Sequence, residues 1–162
     1  MVSSIKKNNL LKWFGVIPES WRIKKLKFIA SEINDKRKPI HGDIKISPEN
    51  VESVTGKIFQ YYSDYENDGK IFEPGDILFN KLRVYLNKVI LCDFNGLSMG
   101  EMIVIRSKKV LNSFLYRCLS SSLFIDHVNS LSEGIKVPRP SIEGIFNMHI
   151  PIPPIKEQKL IS

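Results

Sequence analysis

The side chains with the most chemical promise lie in "NKLRVYLNK", residues 80–88, which sets Lys81, Arg83, Tyr85 and Lys88 between two apolar runs. On a loop that leaves a rigid sheet, such cations reach phosphates, and Arg83 or Asn87 reaches base edges. A second basic group, Lys36, Arg37 and Lys38, stands beside a proline in "INDKRKPIHGD". A third, Lys136 and Arg139, occupies "GIKVPRP", a stiff, proline-bounded loop after a helix. "FQYYSDYENDGK" adds Tyr61, Tyr62 and Tyr65, rings that either stack on bases or pack on a sheet face. Taken singly, each charge reads as a solvated loop residue. Taken as a set, they point to contact with DNA.

Other chemistries find less support. His41, His127 and His149 are scattered and have no Cys or His neighbour at ligand spacing, so no metal site is read. "GLSMGEM" has two glycines but neither the lysine nor the spacing of a phosphate loop, and no Gly-x-Ser-x-Gly elbow occurs. A nuclease needs carboxylates for Mg²⁺ and a nearby lysine. "Asp43-Ile44-Lys45" and "Glu157-Gln158-Lys159" have that local pattern, which arises easily by chance in a lysine-rich chain. A stand-alone Mg-dependent endonuclease using Asp43 or Glu157 therefore stays as an alternative. So does an interaction protein that never touches nucleic acid and carries its charge for solubility.

The bulk properties agree with the first reading. The chain has 162 residues, 24 Lys and Arg against 17 Asp and Glu, and a formal charge of +7. That length suits one domain burying roughly 70% of its unfolded-chain surface. A basic excess favours a polyanionic partner, nucleic acid before an anionic membrane surface. Cys92 and Cys118 sit far apart in apolar settings, as small buried hydrophobes in a reducing compartment. The N-terminus has no signal-peptide core, and no run approaches the ~20 apolar residues of a membrane span. A cytoplasmic protein is expected.

These loops need elements to hold them. Residues 1–10 read as a polar lead-in. Ile17-Pro18 should be extended, and Trp21, Ile23, Leu26, Phe28 and Ile29 are core candidates on a strand that turns into a short helix. Residues 34–68 read as short strands joined by long loops, closing on the turn Asn67-Asp68-Gly69. Pro74-Gly75 fits the centre of a type II turn. "DILF", "KVILCDF" and "EMIVIRS" are nearly continuous apolar strands, which should be covered on both faces and lie central in a sheet. Asn112 is a plausible N-cap for a helix burying Phe114, Leu115, Cys118 and Leu119. Phe124, Val128 and Leu131 repeat at helical spacing, with Gly134 to end that helix. Ser141 caps a short turn. "MHIPIP" alternates Met148, Ile150 and Ile152 against Pro151 and Pro153, which suits a sheet edge. Strands and helices without regular alternation predict an α+β domain, a central mixed sheet of short strands with flanking helices and long loops. At the end, Pro154 fits the first helical position and Glu157 the first turn, with Ile155, Gln158, Leu160 and Ile161 beginning an amphipathic pattern. A helix this short is not stable by itself.

Several stretches together resemble one family, the DNA-specificity subunit of type I restriction-modification systems. "GVIPESWRIKKL", "EPGDILFNKLRVYLNKV", "FLYRCLSSSLF" and "SEGIKVPRPSIEGIFNMHIPIPPIKEQKLI" are similar to its conserved segments in the right order. "IPIPPIKEQ" after "GIKVPR" is the most diagnostic. Val84 stands where a proline is common, and Gly100 where a small polar residue often precedes the glutamate. The resemblance implies a single target recognition domain, residues 1–153, followed at 154–162 by the root of a conserved spacer helix carrying Pro154, Glu157 and Gln158. On this reading the chain is a truncated or trimmed piece. It implies no catalytic activity and no cofactor here. S-adenosylmethionine, ATP and Mg would serve partner subunits, the methyltransferase (modification) and restriction subunits. The implied ligand is one half of a bipartite site in double-stranded DNA. A second recognition domain or self-association would supply the other half, and no membrane is involved.

Overall fold

The runs at residues 77–80 and 102–107 place apolar side chains on both faces of a strand, so each face demands a covering layer. The computed structural model describes residues 14–132 and 140–162 and supplies both layers. Its strands are β1 (Arg22–Lys25), β2 (Ala30–Ile33), β3 (Lys36–Arg37), β4 (Lys45–Ile46), β5 (Gly69–Phe72), β6 (Ile77–Asn80), β7 (Val89–Leu91), β8 (Gly96–Ser98), β9 (Met102–Ser107) and β10 (His149–Ile152). Its helices are α1 (Asn112–Ser120), α2 (Ser122–Ser130), α3 (Ile142–Phe146) and α4 (Ile155–Ile161). An antiparallel sheet runs β2-β9-β6-β7, a mixed sheet runs β3-β5-β8-β4 with β4 parallel to β8, and β1 pairs with β10. The domain is α+β.

The two faces of the antiparallel sheet bury different cores. Ile77, Phe79, Ile103 and Ile105 point to the helices, meeting Leu115, Leu119, Phe124 and Val128. Leu78, Ile90, Met102 and Val104 point the other way, to Ile46, Val51 and Phe72 of the mixed-sheet side. This double cover explains the unbroken hydrophobic runs. It also corrects one expectation: β7 is the end strand of its sheet, not a central one. Its run stays apolar because Val89 joins the helix-side core and Ile90 the other.

Cross-strand chemistry sets the register. Gly75 has φ +94°, the glycine position of the expected type II turn, and the Asp76 N–H closes it on the Glu73 carbonyl at 3.0 Å. A Cβ on Gly75 would also meet the Asn112 amide at 2.5 Å. Asp76, 1% exposed, stands opposite Arg106, one step beyond the Ile77–Ile105 pair. The guanidinium grips it with two bonds, Nε to Oδ1 at 2.7 Å and Nη2 to Oδ2 at 2.8 Å.

The terminal helix α4 is held by the body rather than by its own length. The Trp21 indole N–H donates to Glu157 Oε2 at 2.8 Å. Gln158, buried, accepts from the Leu111 N–H at 3.0 Å and donates to the Pro153 carbonyl at 3.0 Å. Gln158 thus satisfies a backbone donor at the start of α1, whose N-cap is Leu111 and not Asn112. Pro154 is the N-cap of α4 rather than its first helical residue.

Other details differ locally. Phe28 is exposed while Leu26 and Ile29 are buried, because the turn at Leu26–Phe28 aims Phe28 outward. Leu131 is exposed and Ile125 takes its place in the core. Gly69 opens β5 instead of closing a turn, since a Cβ there would strike Met99 Sδ at 2.5 Å. Ser141 caps α3 as expected, accepting from the Gly144 N–H at 2.9 Å. Cys92 and Cys118 are free thiols, and burial pushes both up to about 12. Residues 1–10, Gly134, Lys136 and Arg139 lie outside the described residues. Among the described residues, no helix is long and apolar enough to cross a membrane.

Replacing Arg106 with methionine strands the Asp76 carboxylate in the interior. The R106M variant should lose about 3 kcal/mol of unfolding free energy in denaturant titration.

Candidate nucleic-acid interface

The loop from β6 to β7 is shaped by its own backbone. Asn80, buried, closes the turn by donating to the Leu82 carbonyl at 2.7 Å and accepting its N–H at 3.2 Å. A single helical turn at Val84–Leu86 follows, bounded by Arg83 and Asn87, both left-handed at φ +53° and +48°. Val84 plugs into the core, which leaves the side chains of Arg83 and Tyr85 in solvent. The flanking lysines are engaged. Lys81 Nζ lies 3.2 Å from Glu101 Oε2, and Lys88 Nζ donates to the Pro48 carbonyl at 2.7 Å.

A second loop leans on the first. Asn50, buried, accepts the Ser47 N–H and donates to the Tyr62 carbonyl at 2.9 Å. Val51 pairs with Ile58, making a small hairpin whose tip carries Val54. The Val54 N–H donates to the Asn87 carbonyl at 2.9 Å. Gly56 fits because a Cβ there would come within 2.3 Å of the Val89 carbonyl oxygen. Val54 has φ +70° and is 70% exposed. A β-branched residue in the left-handed region is strained. Among the described residues, the non-glycine residues with positive φ are Val54, Arg83 and Asn87, and all lie in these two touching loops.

The third segment surrounds β3 and β4. Lys36 and Lys38 are exposed. Arg37 instead makes a two-bond pair with Asp43, at 2.6 and 2.8 Å. That guanidinium, with the Ile40 N–H, holds the Asp43 carboxyl down at about 2. Tyr61 packs edge-on against Phe94 at 5.4 Å, yet it and Tyr62 remain half exposed. Tyr85, Tyr65 and Phe59 also present their rings to solvent.

The structure therefore ties the residue 47–62 segment to the 81–88 loop through Pro48–Lys88 and Val54–Asn87. It leaves Lys36, Lys38, Tyr61, Tyr62, Arg83 and Tyr85 accessible, while Arg37, Lys81 and Lys88 have intramolecular partners. Lys136 and Arg139 are outside the described residues. Pro154, Glu157 and Gln158 belong to the separate contact that seats α4. Lys45, Asn50, Val54 and Phe59 were not among the predicted site residues. "DIKIS" makes Lys45 look like an outward position of an alternating strand, and no local signal marks Val54 as left-handed.

Catalytic alternatives lose their footing. Asp43 is committed to Arg37, and Glu157 accepts from Trp21. His149 lies near enough to help burial lower the His127 pKa, but no group of three or more His, Cys, Asp or Glu that could hold a metal occurs among the described residues.

A rigid double-covered sheet presenting basic and aromatic loop tips is the build of a recognition domain. The sequence profile described as "Type I restriction modification DNA specificity domain" matches residues 18–162. The chain belongs to that family. It is 28% identical over 149 residues to the type I restriction enzyme EcoDI specificity subunit of Escherichia coli, a match covering 88% of this chain and 33% of that protein. The fold resembles that of the HsdS subunit from Thermoanaerobacter tengcongensis, with TM-score 0.74 and 23% identity over 89% of this chain and 40% of the other. It also resembles a chain from a structural study of complex assembly and conformational transition in a type I R-M system, with TM-score 0.77, 19% identity, and 90% and 41% coverage. This chain thus spans about a third to two-fifths of the length of these relatives.

Glycine at position 54 should relieve the left-handed strain. V54G should gain about 1 kcal/mol of stability, or at least not lose any, in thermal and denaturant unfolding. Asp43 binds fewer protons folded than unfolded, so its stabilisation is complete above about pH 4 and is lost as pH falls toward about 2. The D43N variant should therefore show a shallower fall in melting temperature across that window than the parent chain.

Proposed function

We propose that this domain reads one half of a bipartite duplex DNA site, as the recognition part of a longer specificity subunit. The observation that carries the reading is the set of exposed cationic and aromatic side chains, Lys36, Lys38, Tyr61, Tyr62, Arg83 and Tyr85, in a chain whose family is one of DNA specificity. Exposed cations supply phosphate contacts and salt-dependent affinity, with Lys136 and Arg139 added from outside the described residues. On this reading Arg83 and the aromatic rings reach groove edges. Arg37, Lys81 and Lys88 serve mainly by holding the loops, since their charges already have partners.

The domain works without a catalytic centre of its own. Modification subunits would bring S-adenosylmethionine, and the restriction subunit, reached through the assembled complex, would bring ATP and Mg. Residues 1–153 form the recognition unit, and 154–162 the root of the spacer helix, with Pro154, Glu157 and Gln158 at its base. A second recognition domain, on another copy or elsewhere in a longer subunit, reads the other half-site. The setting is the cytoplasm, where DNA and these partners meet.

Fluorescence titration of duplex DNA onto the chain reconstituted with modification subunits tests the reading. Affinity should fall steeply between two salt concentrations, by about 0.9 log units per log unit of salt for each phosphate contacted. The R83E variant should weaken binding further, and the pure chain with plasmid and Mg²⁺ should leave the plasmid uncut. Binding that is absent, or indifferent to salt, would overturn the reading.

A further inference from the structure

Lys45 stands out on this face. It leaves the two-residue strand β4 and is only 8% exposed, although its side chain ends in a charge. An ammonium has three donors. One reaches the Tyr65 carbonyl at 3.0 Å, and the charge sits over the Tyr62 ring at 4.8 Å from its centre. None of the ion pairs among the described residues involves it. The Asp43 carboxylate feels the Lys45 charge but is already paired with Arg37, so Lys45 has no anion of its own at ion-pair distance and an anion arriving from outside would improve its setting.

An opening exists for one. A groove of about 670 Å³ separates the residue 38–45 turn from Tyr61 and Tyr62, with Lys38, His41, Lys45 and Glu66 also on its walls. The acids on its walls are Asp43 and Glu66, and Asp43 is neutralised by Arg37. Asp64, off the groove, lies at the Tyr62 hydroxyl, whose pKa it raises. Glu66 lines the groove and is exposed.

The aromatic wall is fixed in advance. Asn50 holds the Tyr62 carbonyl, the Lys45 N–H donates to the Tyr61 carbonyl at 3.1 Å, and the Lys45 ammonium lies against one side of the Tyr62 ring. Tyr62 is nevertheless 52% exposed. A ring held by a cation and still half exposed is a stacking platform for a sugar or base.

We propose that this groove is a nucleotide subsite, taking one DNA phosphate on Lys45, with Lys38 beside it, and laying the adjoining sugar or base against the open part of Tyr62. The subsite rests on the DNA reading above and names one place where the backbone is held. It makes Lys45 a ligand-binding residue rather than a core lysine. It also gives Glu66 a repulsive role toward the entering phosphate.

Salt-dependent titration of duplex DNA, with the chain reconstituted with its modification subunits, separates the outcomes. The K45M variant keeps the length of the side chain and removes its charge. It should bind about three- to tenfold more weakly at ~0.15 M salt, with the log–log salt slope reduced by about one, irrespective of DNA sequence. The E66Q variant changes an exposed residue and should bind about twofold more tightly. Inorganic phosphate, at matched ionic strength, should not displace the DNA; displacement would indicate a free-phosphate site and overturn the proposal. A folded K45M variant with the parent affinity and slope would also overturn it. Should K45M fail to fold, an unchanged affinity in E66Q would do the same. DNA binding by the parent chain with no response in the variants removes only the subsite, whereas no binding by the parent chain removes the DNA reading and the subsite together.

Discussion

The pair formed by buried Asp76 and part-exposed Arg106 is the constraint on which the architecture turns. A carboxylate that is 1% exposed cannot tolerate the loss of its partner, so β6 and β9 have one acceptable alignment. A one-residue slip would carry Arg106 to the opposite face of the sheet and exchange the two cores. The same carboxylate accepts the Glu73 N–H through Oδ2, at 2.9 Å, which joins the turn at Gly75 to the register of the strand that follows. Everything downstream of β6, including the loop that carries Arg83, begins from a position set by this pair.

From that fixed origin the domain divides its labour. The sheet is apolar on both faces and tolerates little change in side-chain volume. The loop tips are held by a small number of polar contacts that cross between segments: Lys88 to Pro48, Val54 to Asn87 and Asn50 to Tyr62. Side chains such as Arg83 and Tyr85 play no part in that bracing. They stay in solvent because their neighbours' backbones and buried side chains do the holding.

Sequence reasoning reached the α+β class, the type II turn, the Ser141 cap and the apolar strands, because each follows from local patterns of glycine, proline and hydrophobic spacing. It misplaced β7 because a run of apolar residues reports cover on two faces, not position in the sheet. It missed the engagement of Lys81 and Lys88, since their partners, Glu101 and Pro48, are 20 and 40 residues distant. Val54 was illegible for a different reason: its backbone conformation runs against its own side-chain preference and is imposed by the neighbouring loop. Gln158 looked like one position in an amphipathic helix, and only the fold shows that its amide bridges Leu111 and Pro153.

That bridge has a mechanical meaning. Gln158 and Glu157 clamp α4 at its first turns to two different parts of the domain, so the helix leaves with a set bearing instead of swivelling on its prolines. Angular play at such a root is amplified by length. Over the 7 residues of α4, about 10 Å long, a tilt of about 10° already displaces the far end by about 2 Å. Two side chains of ordinary appearance thereby set the direction of α4 against the body of the domain.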